Sequence, residues 1–340
     1  MKNRTLQLRR ALSAALFVLL LSVVGSKNAL AQTLVATLQH EGNISAFYGS
    51  NALVEANEAA VDGDTITLSS GSFNGCSFGK AITVHGAGCA VDNIVGSAPT
   101  VIGSSIMYAH NSTIPLSFEG LCFNDGDGIC SYGSNNVVFR KCYARITARY
   151  GSEPINNLQL INCIVSDLWL TGSSATIINS VVRMGRYYQT NFNSPNTIYN
   201  SVLLCDSDIH LNNSTIVNSI IATGENNSVS NTVFNNCIGI KLGETSLFEG
   251  QFNDSNMDVD SFEDVFENFT GTLVYDNVYQ LKEEIVNAFL GNDGTEVGIY
   301  GGMMPYNTRL SYMIMRHCNV AGRTTEDNKL SVEIELNVDD

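Results

Sequence analysis

An asparagine recurs five times in this chain, each time followed by a small residue and then by aliphatics. The runs are Asn162-Cys163-Ile164-Val165, Asn179-Ser180-Val181-Val182, Asn200-Ser201-Val202-Leu203, Asn218-Ser219-Ile220-Ile221 and Asn236-Cys237-Ile238. The steps between them are 17, 21, 18 and 18 residues. A period of about 20 residues built on short β-branched runs buries its apolar face only by stacking on copies of itself, one solenoid coil per repeat. The pattern constrains architecture tightly and activity hardly at all.

Alignment on the ladder shows what would stack. Three places before the small residue stand Phe139, Leu160, Ile177, Ile198, Ile216 and Phe234; one place after it stand Tyr143, Ile164, Val181, Val202, Ile220 and Ile238. Both columns are expected to point inward. Asn162, Asn179, Asn200, Asn218 and Asn236 are read as structural. A short amide at a bend tolerates the left-handed backbone and can bond the main chain and its neighbours above and below. Lys141 occupies the asparagine position of an earlier coil, so either the register slips there or its stem spans the bend.

Residues 1–31 read as a cleaved signal peptide. Lys2, Arg4, Arg9 and Arg10 precede the apolar run from Ala11 to Val24, and Ala29-Leu30-Ala31 forms an A-x-A site before Gln32. The run is short for a membrane span, and no later segment is long and apolar enough to cross a bilayer. The expected location is therefore exported: periplasm, cell surface or medium. Five of the 18 Lys and Arg lie in the leader, which leaves 13 against 33 acidic residues, a net −20. Such a surface repels nucleic-acid phosphates, so no nucleic-acid partner is expected. All nine cysteines follow the leader, an odd number without a CxxC pair, which argues against zinc and thioredoxin-like chemistry. Cys122, Cys142, Cys163 and Cys237 sit near the repeat's small-residue position and read as buried fillers. A disulfide between neighbouring coils stays open, since strand spacing of about 4.8 Å lies within the allowed Cα separation.

Residues 32–303 are expected to form the solenoid with its caps. At the N-terminal end, Ala52, Leu53, Ala56, Ala59 and Ala60 give a helical apolar stripe that would cover the open end. The glycine-rich run from Gly291 to Gly302 would close the other end. Residues 304–340 read as a small β-hairpin extension, too short to bury a core alone.

On this ladder, and on the segments Gly63-Asp64-Thr65-Ile66-Thr67-Leu68 and Lys80-Ala81-Ile82-Thr83-Val84-His85-Gly86-Ala87-Gly88, the chain resembles the right-handed parallel β-helix proteins of the pectin-lyase-like superfamily. Asp293-Gly294-Thr295 and Gly298-Ile299-Tyr300-Gly301-Gly302 resemble the ends of uncharacterised exported bacterial members. The resemblance implies an all-β, single-stranded right-handed parallel β-helix with an N-terminal capping helix and a short C-terminal β extension. It does not carry an activity, because the superfamily holds lyases, hydrolases, esterases, adhesins and proteins of unknown role. The hydrolase signatures are missing, and His85 reads as a turn residue. No cofactor is evident. The pairs Asp125/Asp127 and Asp206/Asp208 could touch calcium, though paired loop carboxylates are ordinarily solvated turn residues.

One charge feature departs from the background. Arg140, Lys141, Arg145, Arg149, Arg183 and Arg186 crowd a stretch in which Tyr143, Tyr150, Tyr187 and Tyr188 interleave, with Trp169 between. Ladder register puts Arg145 and Arg183 at one position two coils apart. Arginine grips carboxylates through paired hydrogen bonds, and aromatic faces can stack on sugar rings. Arg145, Arg149, Tyr150, Arg183, Arg186, Tyr187 and Tyr188 are therefore the candidate strip for an acidic polysaccharide. The expectation is a non-catalytic exported β-helix protein binding acidic glycans. The alternative is a polysaccharide lyase acting on uronates through the same strip, its catalytic residues unknown.

Overall fold

The computed structural model describes residues 34–89, 98–108, 112–123, 127–148, 154–170, 172–184, 190–192, 195–205, 209–223, 228–242, 246–248, 255–273, 279–308, 310, 314–324 and 330–337. The proposed leader, residues 1–31, lies outside them. The architecture is an all-β parallel solenoid. Leu160 pairs with Ile177, Ile177 with Ile198, Ile198 with Ile216, and Ile216 with Phe234, so each ladder step is one coil.

Three sheets run along the solenoid. The first has 11 strands and begins with an antiparallel hairpin, Val35–His40 with Asn43–Tyr48, added to the strand Thr65–Leu68. From Thr65–Leu68 onward it is parallel, through Thr83–His85 to Val233–Asn235. The second sheet has 13 strands, from Gly71–Phe73 to Met257–Val259. The third is a short parallel sheet of Thr190–Phe192, Ile209–Asn212 and Ser228–Ser230.

The bend between the first and second sheets is the asparagine ladder. Asn162, Asn179, Asn200, Asn218 and Asn236 have φ of 53, 46, 46, 52 and 51°, and Lys141 joins them at 50°. The register therefore holds at Lys141, and the strain of a left-handed lysine is carried there. Burial lowers the Lys141 ammonium below its ordinary pKa, against the pull of Glu119. At each bend the main chain changes direction of bonding. The Asn179 N–H donates forward to Tyr199 O, whereas the Val181 N–H donates back to Cys163 O. The small residue between them completes the corner. Ser180, Ser201 and Ser219 donate Oγ–H to the carbonyls of Ile178, Tyr199 and Val217 at 2.8, 2.7 and 2.8 Å. Those same oxygens accept N–H bonds from Cys163, Ser180 and Ser201 of the preceding coil. Cys163 and Cys237 imitate this with their thiols, each donating to a carbonyl two residues back. They are more than fillers.

The interior holds Phe139, Leu160, Ile177, Ile198, Ile216 and Phe234, as the alignment predicts. Phe118 stacks on its register partner Phe139 with ring centroids 5.0 Å apart. The second predicted column is a correction. Val165, Val182, Leu203 and Ile221 face the interior, so Ile164, Val181, Val202, Ile220 and Ile238 face outward. They are nonetheless fully buried, because Val265, Phe266, Phe269, Tyr279, Leu281, Val297 and Ile299 of the C-terminal region pack over them. At these positions both faces of the sheet are covered, which is why the runs that follow the asparagines are apolar throughout.

The glycine-rich run does not close the end of the solenoid. It returns along the ladder against the order of the coils. Asn236 Nδ2 donates to Leu290 O at 3.0 Å, and Asn218 exchanges bonds with Asn292 at 3.1 and 2.9 Å. Asn179 Nδ2 donates to both Ile299 O and Gly301 O, at 2.8 and 2.7 Å. Gly301 is required by contact, since a Cβ there would overlap the Glu296 carbonyl and lie 2.8 Å from Asn200 Nδ2. Side-chain stacking between asparagines occurs at the opposite bend, where Asn156 donates to Asn135 and Asn157 to Asn136.

The predicted N-terminal cap is the helix Ala52–Ala59, whose Ala52, Leu53 and Ala56 enter the core. Ala59 is exposed, and the fourth buried helical position is Asn57, bonded through Nδ2 to Ser77 O. Lys80 Nζ closes the helix C-terminus by donating to the carbonyls of Asn57, Glu58 and Ala60, a cation at the negative end of the helix dipole. At the other end of the chain, Ile314–Thr324 and Leu330–Asn337 form the antiparallel two-stranded β extension.

Candidate functional site

A cleft of about 540 Å³ opens on the outer face of the second sheet, over its earlier coils. Register builds its floor. Ile106, Cys130, Thr147 and Trp169 pair in succession across four parallel strands, all with side chains on the outer face. Strict alternation along Tyr143–Ala148 buries Ala144 and Ile146 and leaves Arg145 and Thr147 outward. The next strand, Ile164–Trp169, carries a bulge that shifts pairing at Ala144/Arg145 and sets Asp167 opposite Arg145. A bulge re-aims side chains locally, and here it delivers a carboxylate beside the guanidinium: Arg145 Nε lies 3.5 Å from Asp167 Oδ2.

The walls mix aromatic and polar groups. Trp169, the one tryptophan of the chain, and Tyr132 both line the cleft. Tyr132 is tilted against Tyr108 with ring centroids 5.5 Å apart, and Tyr108 is 42% exposed. Ser104, Ser105 and Asp127 supply the rim, with the Asp127 N–H donating to Ser104 Oγ at 3.1 Å. Asp167 is buried and Arg145 half-buried, so the pair is a fixed donor-and-acceptor unit on the cleft wall. A guanidinium fork beside a carboxylate offers hydroxyl groups both kinds of hydrogen bond at once.

Among the described residues of the predicted strip, Arg145 lines this cleft and Arg183 does not. Arg183 donates from Nη2 to Gly271 O at 2.8 Å, so its guanidinium holds the C-terminal cover in place. Arg149, Tyr150, Arg186, Tyr187 and Tyr188 lie outside the described residues, as do Asp125, Asp206 and Asp208 of the acidic pairs. Among the described residues no group of three or more His, Cys, Asp or Glu side chains could hold a metal ion. His85 stands in a strand with Nδ1 3.9 Å from Glu119 Oε2, and burial lowers its pKa. Tyr132, Thr147, Ser104 and Tyr108 carry no sequence signal of their own. They come together because four coils with different loop lengths stack in register.

No protein-family model, curated protein or solved structure matches this chain. Among the described residues no helix is long and apolar enough to cross a membrane.

Proposed function

We propose that this chain is an exported β-helix protein of the pectin-lyase-like kind that binds glycans, without turning them over, in the cleft beside Trp169. One observation carries the reading: Trp169, Tyr132 and the Arg145–Asp167 pair share one open cleft on an ordered sheet. Its volume falls in the range of small-ligand sites, and apolar walls with a few convergent polar groups are their usual lining. Aromatic faces take the C–H surface of a sugar ring, and the Arg–Asp pair, Thr147 and Ser104 take its hydroxyls. Among the described lining residues Asp167 and Asp127 offset Arg145, so the cleft favours neutral, hydroxyl-rich sugars over uronates. This shifts the ligand class away from the acidic polysaccharide suggested by the basic residues of the sequence. An arginine held on a carboxylate is a binding group; a lyase would need a base free to take a proton.

The test uses the lone tryptophan. Titration of the protein with neutral and uronate-containing oligosaccharides should change Trp169 emission with the neutral ones, saturably, while absorbance at 235 nm stays flat with and without calcium. A saturable response that persists in Trp169→Phe by calorimetry but fails in Arg145→Ala would confirm the wall. No response by either method across the panel would overturn the reading. A rising 235 nm signal would replace it with the lyase.

A further inference from the structure

Two cysteines from separate segments meet beside the ladder. Cys89 follows the first turn of the solenoid, and Cys122 opens the strand Cys122–Phe123. Tyr143, the register partner of Cys122, donates its N–H to Cys89 Sγ at 3.2 Å, and that sulfur also lies 3.7 Å from Lys141 O. Cys89 Sγ therefore lies against the strand pair that carries Cys122, and its pKa is raised first by burial and then by the Cys122 thiol beside it. The neighbouring pair at the bend is built otherwise. Cys142 and Cys163 also lie beside one another on adjacent coils, but both are sunk in the core, 1 and 0% exposed, away from any reagent in solvent.

We propose that Cys89 and Cys122 are a disulfide-forming pair, oxidised by exchange with a low-molecular-weight or protein disulfide. Cys122 is half-buried and Cys89 only 8% exposed, so the reagent meets Cys122 first. The Cys122 thiolate attacks one sulfur of the reagent and expels one thiol. Cys89, its proton passed to solvent, then attacks Cys122 Sγ and expels the second. Two protein thiols are oxidised, one reagent disulfide is reduced to two thiols, and no other electron acceptor is needed. Burial holds the Cys89 thiol well above its ordinary pKa, which makes closure the slow step. The ring encloses the strands Thr100–Ile102, Ser105–Tyr108 and Leu116–Glu119, so the bond would stitch the wall that carries Ser104 and Ile106 to the body of the solenoid.

The full chain, purified reduced, is incubated with oxidised glutathione, alkylated in denaturant, digested without reduction and mapped by mass spectrometry. The expected product links Cys89 to Cys122 and leaves the other seven of the nine cysteines alkylated. Tm should rise by about 5 °C on oxidation and fall back with reductant, the direction expected of a loop closed in the unfolded chain. Cys122→Ser and Cys89→Ser should each lose both the link and the rise, and either variant suffices if the other fails to fold. Alkylation of both residues after oxidation, a stable glutathione adduct on Cys122, or linkage of either to another cysteine would overturn the proposal.

Discussion

The outer face of the second sheet is two surfaces. From Ile164 to Ile240 it is a row of aliphatics sealed under the C-terminal region. From Ile106 to Trp169 it is open and carries Arg145, Thr147, Asp167 and the aromatic walls. The strands share one sheet and one register, so the difference lies in which side chain occupies the outward position and in how far the returning chain reaches. Where the solenoid needs stability it buries both faces; where it offers a site, one face stays wet.

The largest expected effect removes the seal. Phe266, 1% exposed among Phe262, Phe269 and the sheet aliphatics, should cost about 3–5 kcal/mol when truncated to alanine. Tyr108→Ala, on the open half, should cost about 1 kcal/mol or less by the same denaturant titration. Equal losses would erase the distinction between the halves.

Next come the ladder amides. Asn179→Gly keeps the left-handed backbone but strips two buried carbonyls of their donor, an expected loss of about 2–3 kcal/mol. Asn157→Gly, whose exposed amide donates to Asn136, should lose under about 1 kcal/mol. Chemical denaturation of the two variants side by side decides this. On the open half, Trp169→Ala should weaken glycan binding about 30-fold while moving stability by no more than about 1 kcal/mol. A variant that unfolds instead would mean that the indole belongs to the core.

The smallest effects come from two histidines near the N-terminal end, and their signs oppose. His40 bonds Asp64 at 2.8 Å, which together with the carboxylate charge raises its pKa above 6.5. Its contribution is complete below pH 6.5 and is lost as pH rises through the folded value. His85 is lowered, chiefly by burial, so stability is lost as pH falls from 6.5 through its depressed folded value. His40→Gln should flatten the alkaline side of the Tm–pH curve and His85→Gln the acidic side. Proton NMR titration of each ring would show the two shifts directly.

Much of the coil was legible in the sequence for a local reason. A left-handed bend selects asparagine residue by residue, so Asn162 to Asn236 announce themselves without any tertiary knowledge, and Phe139 to Phe234 follow by counting. The outward column was misread because Ile164 and Val165 are equally apolar. Nothing local says which faces a partner that lies about a hundred residues later in the chain. The cleft was hidden for a related reason. A bulge sets Asp167 on Arg145, and the C-terminal region reaches Arg183 through Gly271, so a supposed pair of arginines became two separate contacts. Bulges leave no mark in a periodic alignment.

The return of the C-terminal segment also sets a clock. Asn179 finds its partners 120 and 122 residues downstream, at Ile299 and Gly301. At translation speeds of about 5–20 residues per second, that separation lasts roughly 6–24 s. During that interval the growing chain builds a stripe of Ile164, Val181, Val202 and Ile220 whose cover begins only at Val265. A ribosome that stalls before Val265 would release a chain with its stripe bare, the kind of surface that holdase chaperones recognise and that aggregates without them.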